Sequence, residues 1–219
     1  MAKPLVIAHR GITSLAIENS LEAFRLAVEK STPRPDGVEL DVHSTADGKI
    51  MVHHDPTLPS GRPIATVSLS QVQEERLADG QRVPTLEEAL GVLGDLSVYV
   101  EAKGLAPAAD DALIGTLRGG PHPGRYHVHS FDHRVVARLA RQAPWFGYGV
   151  LSTSYPISPV SPVIAAGART LWQEWRLIDR ELVERCAERE VEVIAWTCKT
   201  DQEVRAMAGL GVSGVCVDL

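Results

Sequence analysis

Val38-Glu39-Leu40-Asp41-Val42-His43 is the stretch that decides how this chain folds. Strand side chains alternate faces, so Glu39 and Asp41 share one face and Val38, Leu40 and Val42 the other. If the apolar face packs against outer helices, as in a barrel, the two carboxylates point inward or to the rim. Val98-Tyr99-Val100-Glu101-Ala102-Lys103 repeats the device, with Glu101 and Lys103 on one face at the carboxyl end of a second strand.

Working outward, short apolar runs recur at Leu5–Ala8, Val38–Val42, Val98–Val100, Tyr126–Val128, Gly147–Leu151, Ala168–Leu171, Val191–Ala195 and Gly214–Val217. Helical patterns lie between them at Ser20–Glu29, Leu86–Leu93, Ala108–Leu117, Arg134–Arg141, Asp179–Glu188 and Gln202–Ala208. This alternation predicts parallel strands with crossover helices. Eight strands favour an α/β fold of the closed (β/α)8 TIM-barrel type over the runner-up, a doubly wound open sheet. The expected organisation is a single barrel domain over residues 1–219. Pro59–Pro84, with Ser60-Gly61-Arg62-Pro63 and Asp79-Gly80, has little periodicity and is expected as a short loop insertion at one barrel end. Asp218-Leu219 follows the last strand directly, which predicts no full eighth outer helix.

At 219 residues, 44% hydrophobic and 23% charged, the chain can bury a full core, which excludes disordered and fibrous classes. The net charge of −6 gives no bulk attraction to nucleic acid or to an anionic membrane. Any phosphate must therefore be held by a local site. Cys186, Cys198 and Cys216 are too few and too scattered for a disulfide framework or a metal knuckle, and suit a reducing compartment. Met1-Ala2-Lys3-Pro4 leads straight into the first strand with no signal-type apolar region, and no run approaches the ~20 residues of a membrane span. The expectation is a cytoplasmic protein.

Two carboxylates a few ångströms apart resist joint ionisation, and a cation removes that conflict. Glu39, Asp41 and Glu101, with no cysteine among them, suit a hard divalent cation such as Mg²⁺ or Ca²⁺. His43 continues the same alternation, and the spacing does not exclude a transition-metal site with an imidazole; more often such a histidine sits on the strand's way out to the loop, and His43 is given no role. Lys103 would face the anion that such a metal recruits; the plainer reading is an ion pair with Glu101. Asp47-Gly48 signals a two-residue hairpin loop, which sets His54 directly opposite Asp41 and turns His53 away. One residue of slip exchanges the two histidines. His9-Arg10-Gly11 ends the first strand with a proton-transfer group, a phosphate clamp and a tight turn, although the triplet alone reads better as surface loop. Asn19 or Ser20 suits a helix N-cap, and Glu18 either faces the site or solvates the helix start.

Together these residues resemble the glycerophosphodiester phosphodiesterase family. The likeness runs through His9-Arg10-Gly11, Glu18-Asn19-Ser20, Gly37–Val42, Thr45–Gly48, Val52–Leu58, Pro84–Glu88, Glu101–Lys103, His129–Asp132 and Ala195–Thr197. The resemblance implies a (β/α)8 barrel that hydrolyses glycerophosphodiesters to glycerol 3-phosphate and an alcohol with a divalent metal, Mg²⁺ or Ca²⁺, with Mn²⁺ a further choice. It implies metal carboxylates at Glu39, Asp41 and Glu101, acid–base histidines at His9 and His54, and phosphate binding by Arg10 and Lys103. Glu18 and Trp196 join these as substrate-binding candidates, and the partner is a small-molecule phosphodiester.

Three departures stand out. Ile17 occupies a place usually held by proline, the insertion is short, and Val217-Asp218-Leu219 replaces the usual Thr-Asp-x-Pro. The last two bear on substrate choice and barrel closure. Competing readings are hydrolysis of lysophospholipids in the manner of a phospholipase D, a non-catalytic phosphoester-binding barrel, and a Schiff-base enzyme using Lys103.

Overall fold

Each of the eight apolar runs is a strand of one sheet: β1 (Leu5–His9), β2 (Gly37–Ser44), β4 (Ser97–Ala102), β5 (Tyr126–Ser130), β6 (Gly147–Ser152), β7 (Thr170–Glu174), β8 (Glu192–Cys198) and β9 (Gly214–Val217). A ninth strand, β3 (Ile50–Val52), adds to β2 as an antiparallel extension. The computed structural model describes residues 3–29 and 33–219; Met1 and Ala2 of the N-terminal stretch lie outside them. All ladders except β2–β3 are parallel, and β1 pairs with both β2 and β9, so the sheet closes. Closure excludes the open-sheet alternative, and the altered C-terminal motif does not prevent it.

The crossovers carry α1 (Leu21–Glu29), α2 (Leu69–Val72), α3 (Leu86–Leu93), α4 (Asp110–Gly119), α5 (His133–Gln142), α6 (Ser161–Ala165), α7 (Arg180–Ala187) and α8 (Asp201–Leu210). Their starts are written locally. Thr85 and Thr200 make reciprocal capping boxes with Glu88 and Glu203, while Asp132 and Asp179 cap α5 and α7. After β9 the described residues hold no helix. The outward strand positions Val38, Leu40, Val42, Val98 and Val100 join the helices in the main core.

A second cluster fills the barrel: Ile7, Tyr99, Leu151, Trp172, Ile194 and Cys216, with Trp196 packed on it. Glycines make room for the large rings. A Cβ on Gly37 would lie 2.8 Å from Tyr99 Cε2, one on Gly149 would lie 2.8 Å from Trp172 Cδ1, and one on Gly147 would overlap His127. Gly149→Ala is therefore expected to cost about 1–3 kcal/mol of stability by overpacking. A fall in the denaturant midpoint checks this; an unchanged midpoint would mean that Trp172 moves freely.

The β2–β3 hairpin corrects one sequence expectation. Val42 pairs with Val52, His43 with Met51 and Ser44 with Ile50, and Thr45 N donates to Lys49 O at 2.9 Å. The loop is three residues, Ala46-Asp47-Gly48, with Gly48 left-handed at φ 76°. The register is thus one residue away from the expected one, and it is His53 whose N–H bonds Asp41 O at 3.0 Å. The strand ends at Val52, so its alternation does not fix where the histidine rings point.

The insertion holds more structure than a loop. A 3₁₀ turn at Ile64–Thr66 and α2 enclose their own apolar cluster of Met51, Leu58, Ile64, Val67, Val72, Leu77 and Val83. Asp47 of the hairpin accepts from Leu69 N at 3.1 Å and ties this lobe down.

Candidate active site

Register stacks the polar inward residues at the carboxyl end of the barrel. His9 lies beside Glu39, and Asp41, Glu101 and His129 follow side by side on β2, β4 and β5. Glu39 and Asp41 are 3% and 0% exposed, so these are interior carboxylates.

Asp41 is held by cations. Arg10 Nε lies 3.0 Å from its Oδ2, Lys103 Nζ lies 3.1 Å from its Oδ1, and Asn19 Nδ2 donates to Oδ2 at 2.8 Å. Burial opposes the Asp41 charge, but Lys103, Arg10 and Asn19 outweigh it and bring its pKa down. Lys103 Nζ also pairs with Glu101 Oε1 at 2.7 Å. Burial opposes the ammonium in turn, but Asp41 and Glu101 dominate and raise it, which works against a neutral Schiff-base amine. Arg10 Nη1 reaches Glu18 Oε2 at 2.8 Å, so Glu18 faces the arginine rather than only solvating the helix start. Arg10 and Asn19 sit at φ 59° and 56°, strained values for non-glycine residues, and Asn19 N donates to Arg10 O at 3.0 Å.

Glu39 has no such partners. Among the described residues neither carboxylate oxygen has a hydrogen-bond partner, although both are buried. Burial, then Asp41 and Glu101, push its pKa well above the carboxylate range. Burial also lifts Glu101 to about 7, with Lys103 pulling it back. His129 lies flat on Trp172 at 4.1 Å and 9°, with Nε2 3.9 Å from Glu39 Oε1. Its burial lowers it to about 3, so the ring is neutral.

Donor atoms of Glu39, Glu101 and His129 all lie within 4.8 Å of one another. Two buried carboxylates and a neutral imidazole, with both Glu39 oxygens orphaned, fit a divalent cation. The expected trio and this one differ in one member: Asp41 stands beside the cluster with its three partners, and His129 takes the third place. His129 shares a strand face with His127, the same period-2 signal that singled out Glu39 and Asp41.

His9 ends β1 with Nε2 3.9 Å from Glu39 Oε2 and Nδ1 2.7 Å from Asp218 Oδ1. His54 lines a cavity of about 620 Å³ together with Glu101, Lys103, Pro56, Pro63 and Phe131. His53 does not line it; its Nε2 donates to Thr57 O at 3.1 Å. His43 Nε2 donates to the His54 carbonyl at 3.1 Å, a supporting rather than a ligating contact. Trp196 stands edge-on to Phe131 at 5.4 Å, and its buried Nε1 has no hydrogen-bond partner among the described residues. His129, Asn19 and Asp218 are the site residues to which sequence reasoning gave no such role.

A closed (β/α)8 barrel with carboxylates, imidazoles and cations gathered at the carboxyl ends of its strands has the layout of a barrel enzyme. Residues 9–219 match the Glycerophosphoryl diester phosphodiesterase family. The chain belongs to that family. It is 30% identical over 233 residues to the glycerophosphodiester phosphodiesterase of Caldanaerobacter subterraneus subsp. tengcongensis, covering 99% of this chain and 94% of that protein. Its fold matches an Oleispira antarctica phosphodiesterase solved in complex with the product sn-glycerol-3-phosphate, with a TM-score of 0.90 at 22% identity over 98% and 93% of the two chains. A Galdieria sulphuraria structure of the same family name gives 0.88 at 22%, over 98% and 94%.

Proposed function

We propose that the protein hydrolyses glycerophosphodiesters to glycerol 3-phosphate and an alcohol in a divalent-metal-dependent reaction. The observation that carries this is Glu39, a buried carboxylate with two unpartnered oxygens between two further acids. Glu39, Asp41 and Glu101 supply hard oxygen donors and His129 the one nitrogen, a set suited to Mg²⁺, Ca²⁺ or Mn²⁺. Such a cation, when bound, offsets charge that develops on a phosphoryl oxygen. Arg10 and Lys103 are the phosphate-binding cations, released from Asp41 to an anionic substrate. Glu18 orients Arg10, and Trp196 offers an aromatic wall to the substrate. His9 and His54 move the protons, one as base and one as acid. The three buried free thiols suit the cytoplasm, and no described helix is long and apolar enough to cross a membrane.

The cavity beside Lys103 favours a second reading on the same chemistry. Pro56, Pro63, Ala65, Ala102 and Phe131 give it an apolar lining, which suits a lysophospholipid. A panel of glycerophosphocholine, glycerophosphoethanolamine and lysophosphatidylcholine, run with each cation, separates the two. Release of glycerol 3-phosphate from the first two is the expected result. Release of lysophosphatidic acid alone would favour the second reading. Tight binding without turnover in metal-replete protein would leave only a phosphoester-binding barrel.

A further inference from the structure

Asp218 and His9 are 209 residues apart in sequence and touch in the fold. Parallel pairing of β1 with β9 matches Ala8 with Val217, which makes His9 and Asp218 the next pair along the two strands. His9 Nδ1 lies 2.7 Å from Asp218 Oδ1, while Lys199 Nζ lies 3.9 Å from Oδ2. The aspartate is fixed from both sides. Its own N–H donates to Cys198 O at 3.2 Å, and Ser14 N donates to Leu219 O at 2.9 Å.

An ionised carboxylate only accepts hydrogen bonds, so Nδ1 of a neutral His9 must carry the proton and Nε2 must hold the lone pair. Nε2 faces the carboxylate cluster, 3.9 Å from Glu39 Oε2. Without an acceptor at Nδ1, the ring is free to take the other tautomer or to rotate. We propose that Asp218 is a positioning residue that locks His9 in the Nδ1–H tautomer with Nε2 presented to the reacting phosphoryl group. This rests on the reading of His9 as a proton-transfer group. Asp218 takes no proton itself; it also steadies the imidazolium that forms when Nε2 is protonated.

The test combines kinetics with a direct view of the ring. Asp218→Ala and the isosteric Asp218→Asn should lower kcat by about 10²–10⁴-fold with KM little changed. In a His9→Ala background the same substitutions should cost almost nothing more. Nitrogen-15 NMR of the His9 ring in metal-replete protein should show the Nδ1–H tautomer, and Asp218→Ala should convert it to a mixture. An equal loss in both backgrounds, or an unchanged tautomer in Asp218→Ala, would overturn the proposal. If His9→Ala alone leaves kcat intact, the proton-transfer reading of His9 fails, and the NMR arm still decides whether Asp218 holds the ring.

Discussion

His54→Ala is expected to lower kcat by about 10²–10⁴-fold, while His53→Ala costs far less. The reason is placement. His54 lines the cavity that Glu101 and Lys103 share, whereas His53 spends its Nε2 on Thr57 O. His9→Ala should match His54→Ala, because a phosphodiester needs a base for the attacking group and an acid for the departing one. The double variant should be little worse than either single one if the histidines act as a unit. A nitrophenyl leaving group needs no acid, so it should rescue only the variant that lacks the acid, and this assigns the two roles. A crippled His53→Ala with a near-normal His54→Ala would reverse the assignment.

The second large effect is metal removal. Chelation should abolish turnover, and Mg²⁺, Ca²⁺ or Mn²⁺ should restore it; full activity in metal-free protein would end the proposal. Glu39→Gln should weaken metal binding and leave the fold standing, since the lost charge was repelled by Asp41 and Glu101. A pH signature accompanies this. Burial raises Glu101 from an ordinary value near 4.5 to about 7, so the folded metal-free protein binds a proton that the unfolded chain releases. That contribution to stability is complete below the ordinary value and is lost as pH rises towards 7. A cation binds the ionised carboxylates, so its affinity rises over the same range. Thermal melts with and without cation should differ more at pH 8 than at pH 5. An equal gap at both would show that Glu101 does not ligate.

The fold was legible because barrel strands bury one apolar face against helices, and that face leaves an unbroken trace such as Val38, Leu40 and Val42. Glu39, Asp41 and Glu101 were legible for the converse reason, as charges at the inward positions of otherwise apolar strands. The hairpin register was not. Asp47-Gly48 fits a two-residue and a three-residue loop, both of which accept a left-handed glycine; the Thr45–Lys49 contact, with Asp47 itself outside the left-handed region, separates them. The contact of Asp218 with His9 was out of reach because the two are 209 residues apart and no local pattern announces the pairing. His129 was within reach, since it follows His127 at the spacing that singled out the acids.

The lobe between β3 and α3 has an apolar interior of its own, distinct from the main core. A segment with a separate core can melt as a separate cooperative unit, below the free energy of global unfolding. His53 and His54 occupy the joint between that unit and the barrel, whereas His9 is anchored in strand β1 itself. If His9 and His54 act as the proposed proton-transfer pair, one of them is set in a barrel strand and the other beside the smaller apolar cluster. Heat or denaturant that loosens the seven-residue cluster is then expected to displace His54 before the barrel unfolds, so activity should fall at a lower denaturant concentration than the global transition.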